Sequence, residues 1–166
     1  MSPLPRRFFV PIMIAGKRDA RRRGEMFRRI VVATDFSKAS ALAWDVALQL
    51  AGPGTTLVAL NVVVPLYPDV AYANLPAAMR EQQRENERRL ATSAVVPPSS
   101  RVSVEHSVMT GDPARTIVAA ARDTGADLIV MGVHAHHGLD HWLRGSVTEH
   151  VVHEAPCHVL LVKHHG

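Results

Sequence analysis

The residues best suited to chemistry lie between Leu128 and Glu149, in the run Leu-Ile-Val-Met-Gly-Val-His-Ala-His-His-Gly-Leu-Asp-His-Trp-Leu-Arg-Gly-Ser-Val-Thr-Glu. An apolar stretch from Leu128 to Met131 ends in Gly132, a polar loop follows, and Gly145-Ser146 then opens a helix. Strand, loop and helix start in that order aim unpaired backbone N–H groups and a positive dipole end at an anion. Ser146-x-x-Glu149 spells a capping box, which independently puts the helix start at Ser146. Neither a Walker Gly-Lys-Ser/Thr nor a GxGxxG dinucleotide fingerprint is present. The chemistry indicated is anion binding, phosphate above all. Because any α/β domain can carry glycines after a strand, the local pattern alone leaves a purely structural loop equally open.

Asp35, just beyond the first apolar run, is the second candidate. A carboxylate at the end of a strand can accept hydrogen bonds from ribose hydroxyls or an adenine amine. It can equally cap the helix that follows, sharing that task with Ser37. Histidines crowd the same part of the chain: His134, His136, His137 and His141, then His150, His153 and His158. Metal binding needs several neutral imidazoles converging with fitted geometry. His137 and His141 have helical spacing but fall in a segment that reads as loop, so surface histidines near a bound anion are expected and no metal site is assigned. No nucleophile stands with a general base, so efficient catalysis is not indicated.

These residues need elements to position them, and hydrophobic periodicity supplies a regular series. Arg29 to Thr34 reads as a buried strand, followed by a turn at Asp35-Phe-Ser37. Ala39, Leu42, Ala43, Val46, Ala47 and Leu50 then form a stripe of helical period. Gly52-Pro-Gly54 stops that helix, and Thr55 to Val64 is a second apolar strand of the kind covered on both faces. Pro76 to Ser93 is a polar helix with Leu75, Met79, Leu90 and Ala94 as its sparse inner contacts. Val102 to Met109 alternates like an edge strand. Asp112 and Pro113 start a third helix that runs to Thr124 and stops at Gly125. Asp127 to Met131, Ser146 to Glu154 and His158 to Val162 complete the series as strand, helix and strand. Strands alternating with helices at these lengths predict an α/β fold: an open, doubly wound, five-stranded parallel sheet with helices on both faces.

The spacing Gly132-x2-Ala135-x9-Gly145-Ser146 resembles the nucleotide-binding signature of the universal stress protein family, Gly-x2-Gly-x9-Gly-Ser/Thr, with a departure at Ala135. The resemblance extends from Met26 to about Lys163 and includes Arg29-Ile-Val-Val-Ala-Thr-Asp-Phe-Ser37 and Ala155-Pro-Cys-His-Val-Leu-Leu-Val162. It implies strand order 3-2-1-4-5, with the ligand crevice between strands one and four. It also implies ATP as the cofactor, held by Asp35, by the backbone of Val62, and by Gly132, Ala135, Gly145, Ser146, Val147 and Thr148. A cytoplasmic homodimer joined through the last strand, with further protein partners, completes what the family likeness suggests. The family has binding and non-binding branches, so a nucleotide-free interaction module is the alternative. An adenylyl-transferring enzyme is more distant, since the chain lacks a PP-loop pattern.

Composition agrees with one soluble domain. The 166 residues are 47% apolar with a single cysteine, Cys157, which rules out an internal disulfide and fits a reducing compartment. Cys157 adjoins an apolar run and reads as a buried, inert thiol. The chain's charge of +4 comes from residues 1–25, where seven basic residues face two acidic ones. The remainder is at −1, so no broad basic face for nucleic acid is expected. Residues 1–25 are expected to be a basic extension outside the domain at 26–166, and no run is long enough to predict a membrane span.

Overall fold

The computed structural model of the chain describes residues 27–65, 77–134 and 147–164. In chain order they form β1 (Arg29–Ala33), α1 (Lys38–Leu50), β2 (Thr56–Val63), α2 (Ala77–Ser93), β3 (Ser103–Thr110), α3 (Pro113–Thr124), β4 (Leu128–His134), α4 (Val147–Glu154) and β5 (His158–His164). All neighbouring strands pair in parallel, in the order β3-β2-β1-β4-β5. This is the α/β architecture and the strand order expected above. The extension at 1–25 and the capping residue Ser146 lie outside the described residues.

Alternation along the strands feeds two apolar layers. Ile30, Val32, Leu57, Val130 and Val162 face α1, which meets them with Ala43 and Ala47. On the same face Leu90 of α2, with Ala94 just beyond its end, covers Ala59. Val31, Val58, Ile129 and Val159 point the other way, under Ile117, Val118 and Ala121 of α3 and Val151 of α4. Each such Val, Ile or Leu side chain contributes roughly 1.5–3 kcal/mol by leaving water. β3 closes one edge and is mostly exposed or half-buried, as its alternation predicts.

Helix ends follow the local chemistry. Asp112 Oδ1 accepts the Arg115 N–H at 2.9 Å, Pro113 occupies the first turn of α3, and Gly125 ends it at φ 63°. One residue of the α1 stripe is placed differently: Leu42 is 39% exposed. The helix sits on Ala39, Ala43 and Ala47, whose small side chains bring its axis close to the sheet. That seat is a narrow line, and a residue three positions along from Ala39 falls off its side. α2 also hides a polar residue that periodicity does not flag, Asn86, only 6% exposed.

At the opposite end of the sheet from the β1–α1 turn, Asp127 ties the starts of β1 and β4 together. Its Oδ2 accepts the N–H groups of Arg28 and Arg29 at 2.7 and 2.9 Å, while its own N–H donates to the Arg29 carbonyl at 2.9 Å. Arg29 then reaches across β2 to Glu105 in a two-pronged ion pair of 2.7 and 3.2 Å. Both partners are partly solvated, so the pair stabilises by less than about 1 kcal/mol.

Cys157 is buried beside this end, and burial, reinforced by the charge of Asp127, pushes its thiol up from 9.0 to about 11. The thiolate is the reactive form. Native protein is therefore expected to resist iodoacetamide at pH 8 and to be alkylated at Cys157 once unfolded in urea, read by mass spectrometry. Because the folded pKa is raised, this group's contribution to stability is complete below pH 9 and fades as pH rises from 9.0 towards 11.

Candidate functional site

β1 is where the topology changes direction. The chain leaves it towards β2 on one side and returns through α3 to β4 on the other. The carboxyl ends of two strands that diverge in this way open a crevice, the usual ligand position in open α/β sheets. The turn from β1 into α1 lines one side of it.

That turn is tightly hydrogen-bonded. The Thr34 N–H donates to the Leu60 carbonyl at 2.8 Å, prolonging the β1–β2 ladder by one rung. Thr34 Oγ1 accepts the Phe36 N–H at 3.0 Å and donates to Ser40 Oγ at 3.0 Å. Asp35 Oδ1 accepts the Ser37 N–H at 2.9 Å, and Ser37 Oγ accepts the Ser40 N–H at 3.2 Å as the cap of α1. Of the two roles considered for Asp35, the cap belongs to Ser37 and the carboxylate braces the residue that caps. Phe36 stands in the left-handed region at φ 61°, a conformation a bulky residue adopts only where its surroundings impose it. The Arg89 guanidinium lies over its ring, 3.9 Å from the centroid.

The electrostatics of Asp35 follow from these contacts. Partial burial pushes its carboxyl up. Hydrogen bonds from the Ser37 side chain and backbone, from Ser40 and from its own N–H outweigh that and hold it below the usual carboxylate value. Asp35 is thus an exposed carboxylate, ionised at neutral pH, at the end of the switch-point strand.

Gly132 behaves differently from its sequence reading. The strand does not stop there: Gly132 pairs with Val162, and β4 continues to His134. A side chain on Gly132 would collide with the backbone of Ala39 and Ser40. The glycine is needed so that the first turn of α1 can lie directly on β4, and its conformational freedom is not the issue. This close approach is also what seats the Asp35–Ser37 turn beside the crevice.

Val62 is half-buried near the end of β2, paired with Met109 and packed against the α3 layer. Val147 and Thr148 form the start of α4. Since β4 and β5 are parallel, α4 begins at the carboxyl end of the sheet, the same end as Asp35. Glu149 in its first turn suits the helix dipole. Ala135, Gly145 and Ser146, with His136, His137 and His141, lie outside the described residues. His150 and His153 are exposed on α4. A cleft of about 290 Å³ lies on the α1–α2 face, walled by Phe36, Trp44, Arg89 and Leu90. Thr34, Phe36 and Ser37 of the turn after β1 also line it, so this cleft adjoins the turn that carries Asp35, although Asp35 itself is not among its lining residues.

The family model described as the universal stress protein family matches residues 26–163. The chain belongs to the universal stress protein family. A universal stress protein of Methanothermobacter thermautotrophicus is 34% identical over 143 residues, covering 84% of this chain and 97% of the relative. Among solved structures, a Methanocaldococcus jannaschii protein described as a structure-based assignment of biochemical function has TM-score 0.71 at 25% identity, covering 85% of this chain and 99% of that one. A universal stress protein described in complex with cAMP has TM-score 0.57 at 24% identity, covering 82% and 97%. Universal stress protein structures thus share this fold. No helix among the described residues is long and apolar enough to cross a membrane.

Proposed function

We propose that this universal stress protein binds ATP in the crevice between the ends of β1 and β4, and acts as a homodimeric, cytoplasmic stress-response module. The observation that carries the reading is the turn after β1, which holds Asp35 as an exposed, ionised carboxylate at the switch point. Asp35 is assigned to the nucleoside hydroxyls, and the backbone of Val62 to the adenine edge. Phosphate binding is assigned to Ala135, Gly145, Ser146 and the N–H groups of Val147 and Thr148, where a helix start favours negative charge. Gly132 supports the site from behind, by letting α1 approach β4. A family member described in complex with cAMP supports a nucleotide as the ligand class.

Calorimetry with ATP tests this reading. Wild type is expected to bind one nucleotide per chain. Asp35→Ala should weaken binding about tenfold or more while leaving the thermal midpoint within a few degrees. A folded wild-type protein that gives no heat up to millimolar ATP sinks the proposal. The nucleotide-free interaction module, which the departure at Ala135 favours, then takes its place.

The dimer is assigned to β5, which pairs with β4 on one side and forms an edge of the sheet on the other. Val159, Leu160, Leu161 and Val162 are buried within the protomer, so the edge contributes mainly backbone pairing. An edge strand left open is an aggregation hazard, and antiparallel pairing across a two-fold axis removes it. Sedimentation of the intact chain at micromolar concentration should give a dimer, and a monomer there rejects the assignment.

A further inference from the structure

Beside the crevice, three side chains and one backbone carbonyl form an unbroken hydrogen-bond chain that starts on α2 and ends just past β1, at Thr34. Gln82 Nε2 donates to Asn86 Oδ1 at 2.9 Å, and Asn86 Nδ2 donates to Asn61 Oδ1 at 2.7 Å. Asn61 Nδ2 in turn donates to the Thr34 carbonyl at 2.8 Å. Asn61 and Asn86 are 5% and 6% exposed, in layers made mostly of apolar residues. Burying two amides is unfavourable unless each is satisfied, and here each holds the other in place.

The end point of this chain is what gives it a use. The Thr34 carbonyl belongs to the peptide that leads into Asp35. Past the Thr34–Leu60 rung, that carbonyl is taken by a side-chain amide from α2's partner residue on β2. The orientation of the Thr34–Asp35 peptide, and with it the direction of the Asp35 side chain, is therefore set by a bond whose donor is itself fixed by α2. A second tie joins the same two elements independently, the Arg89 guanidinium stacked on Phe36. Arg89 is the next residue but two after Asn86, so both ties reach the turn from one stretch of α2. The outer side of that stretch carries an exposed lattice of arginine and glutamate pairs, Arg84 with Glu81 and Arg88 with Glu85.

We infer that Asn61 and Asn86 are positioning residues for Asp35, and that they transmit occupancy of the nucleotide site to α2. The inference rests on the ATP-binding reading above. A ligand held by Asp35 restrains the Thr34–Asp35 peptide, which strengthens the bond to Asn61 and, through Asn86, the seating of α2. The coupling is reciprocal: whatever engages α2 changes nucleotide affinity by the same factor.

Hydrogen exchange of the full chain, with occupancy fixed by calorimetry, tests this without any substitution. Saturating ATP should slow exchange of the amides between Gln82 and Leu90 by a factor of about three or more. In Asn86→Leu the affinity for ATP should fall about tenfold, and at equal occupancy the α2 amides should no longer respond. Should that variant not fold, Asn86→Asp keeps an acceptor for Gln82 but offers Asn61 Oδ1 no donor, and the same loss of response is expected. Wild type that binds ATP with unchanged α2 exchange overturns the inference alone. So does a variant whose α2 responds as wild type does. Absence of ATP binding in folded wild type overturns the nucleotide reading and takes this inference with it.

Discussion

Gly132→Val is expected to lower the free energy of unfolding by about 3 kcal/mol, with a fall of roughly 10 °C in Tm. The cause is steric. A side chain at this position runs into the backbone of Ala39 and Ser40, and backbone at the start of a helix cannot swing aside as a flexible side chain could. Relief requires α1 to lift from β4, which opens the alanine seat at Ala43 and Ala47. Gly52 is the control. A Cβ there meets nothing within 4 Å, so Gly52→Ala should leave urea denaturation within about 0.5 kcal/mol of wild type. If the two variants lose similar stability, the packing account of Gly132 is wrong.

Gly145→Val is expected to have the opposite profile. ATP affinity should fall at least about 100-fold, which is about 2.8 kcal/mol at 1.4 kcal/mol per tenfold change, while the urea midpoint stays close to that of wild type. Gly145 directly precedes the signature serine, where the proposed site brings backbone against a phosphate, and a branched side chain takes that space. Ala135→Gly should hold or tighten binding, since it restores the residue found in the family's signature. Calorimetry and denaturation on the same preparations separate the outcomes. A Gly145→Val protein that binds ATP as wild type does removes the phosphates from this loop. Together with Gly132→Val, it divides one signature into a glycine that builds the fold and a glycine that admits the ligand.

Much of the scaffold was legible because its signals are local. The N-cap at Asp112, Pro113 beside it and Gly125 at the far end specify α3 through contacts no more than a few residues apart. The apolar runs of β1, β2 and β4 announce strands covered on both faces, and the strands found differ by at most three residues at their ends. Asp35 could be placed at a crevice because the strand order that the family likeness implies puts it there. What escaped the sequence depends on partners distant along the chain. Nothing near Asn86 shows that it meets Asn61, 25 positions earlier, so a helix rich in charge conceals a buried amide. The purpose of Gly132 depends on Ala39 and Ser40, more than ninety residues before it. Phe36 gave no sign of its left-handed backbone, because that conformation is imposed by the bonds around Thr34 and Ser37.

The clamp at Asp127 bears on the order in which the molecule assembles. β1 can find β2 after closing a loop of about the length of one helix and one turn, whereas its bonds to Asp127 span 98 and 99 positions. Loop closure over the longer span costs more chain entropy, and little offsets that cost until β4 is docked along its whole length. The amino-terminal strands and α1 are thus expected to form while one side of β1 still faces solvent, and the seam between β1 and β4 to close late. Interactions made after the rate-limiting step slow unfolding and leave the folding rate almost untouched. Asp127→Ala should therefore steepen loss of the native state many-fold while refolding keeps nearly its wild-type speed, making this one carboxylate a determinant of how long the folded protein lasts rather than how quickly it appears.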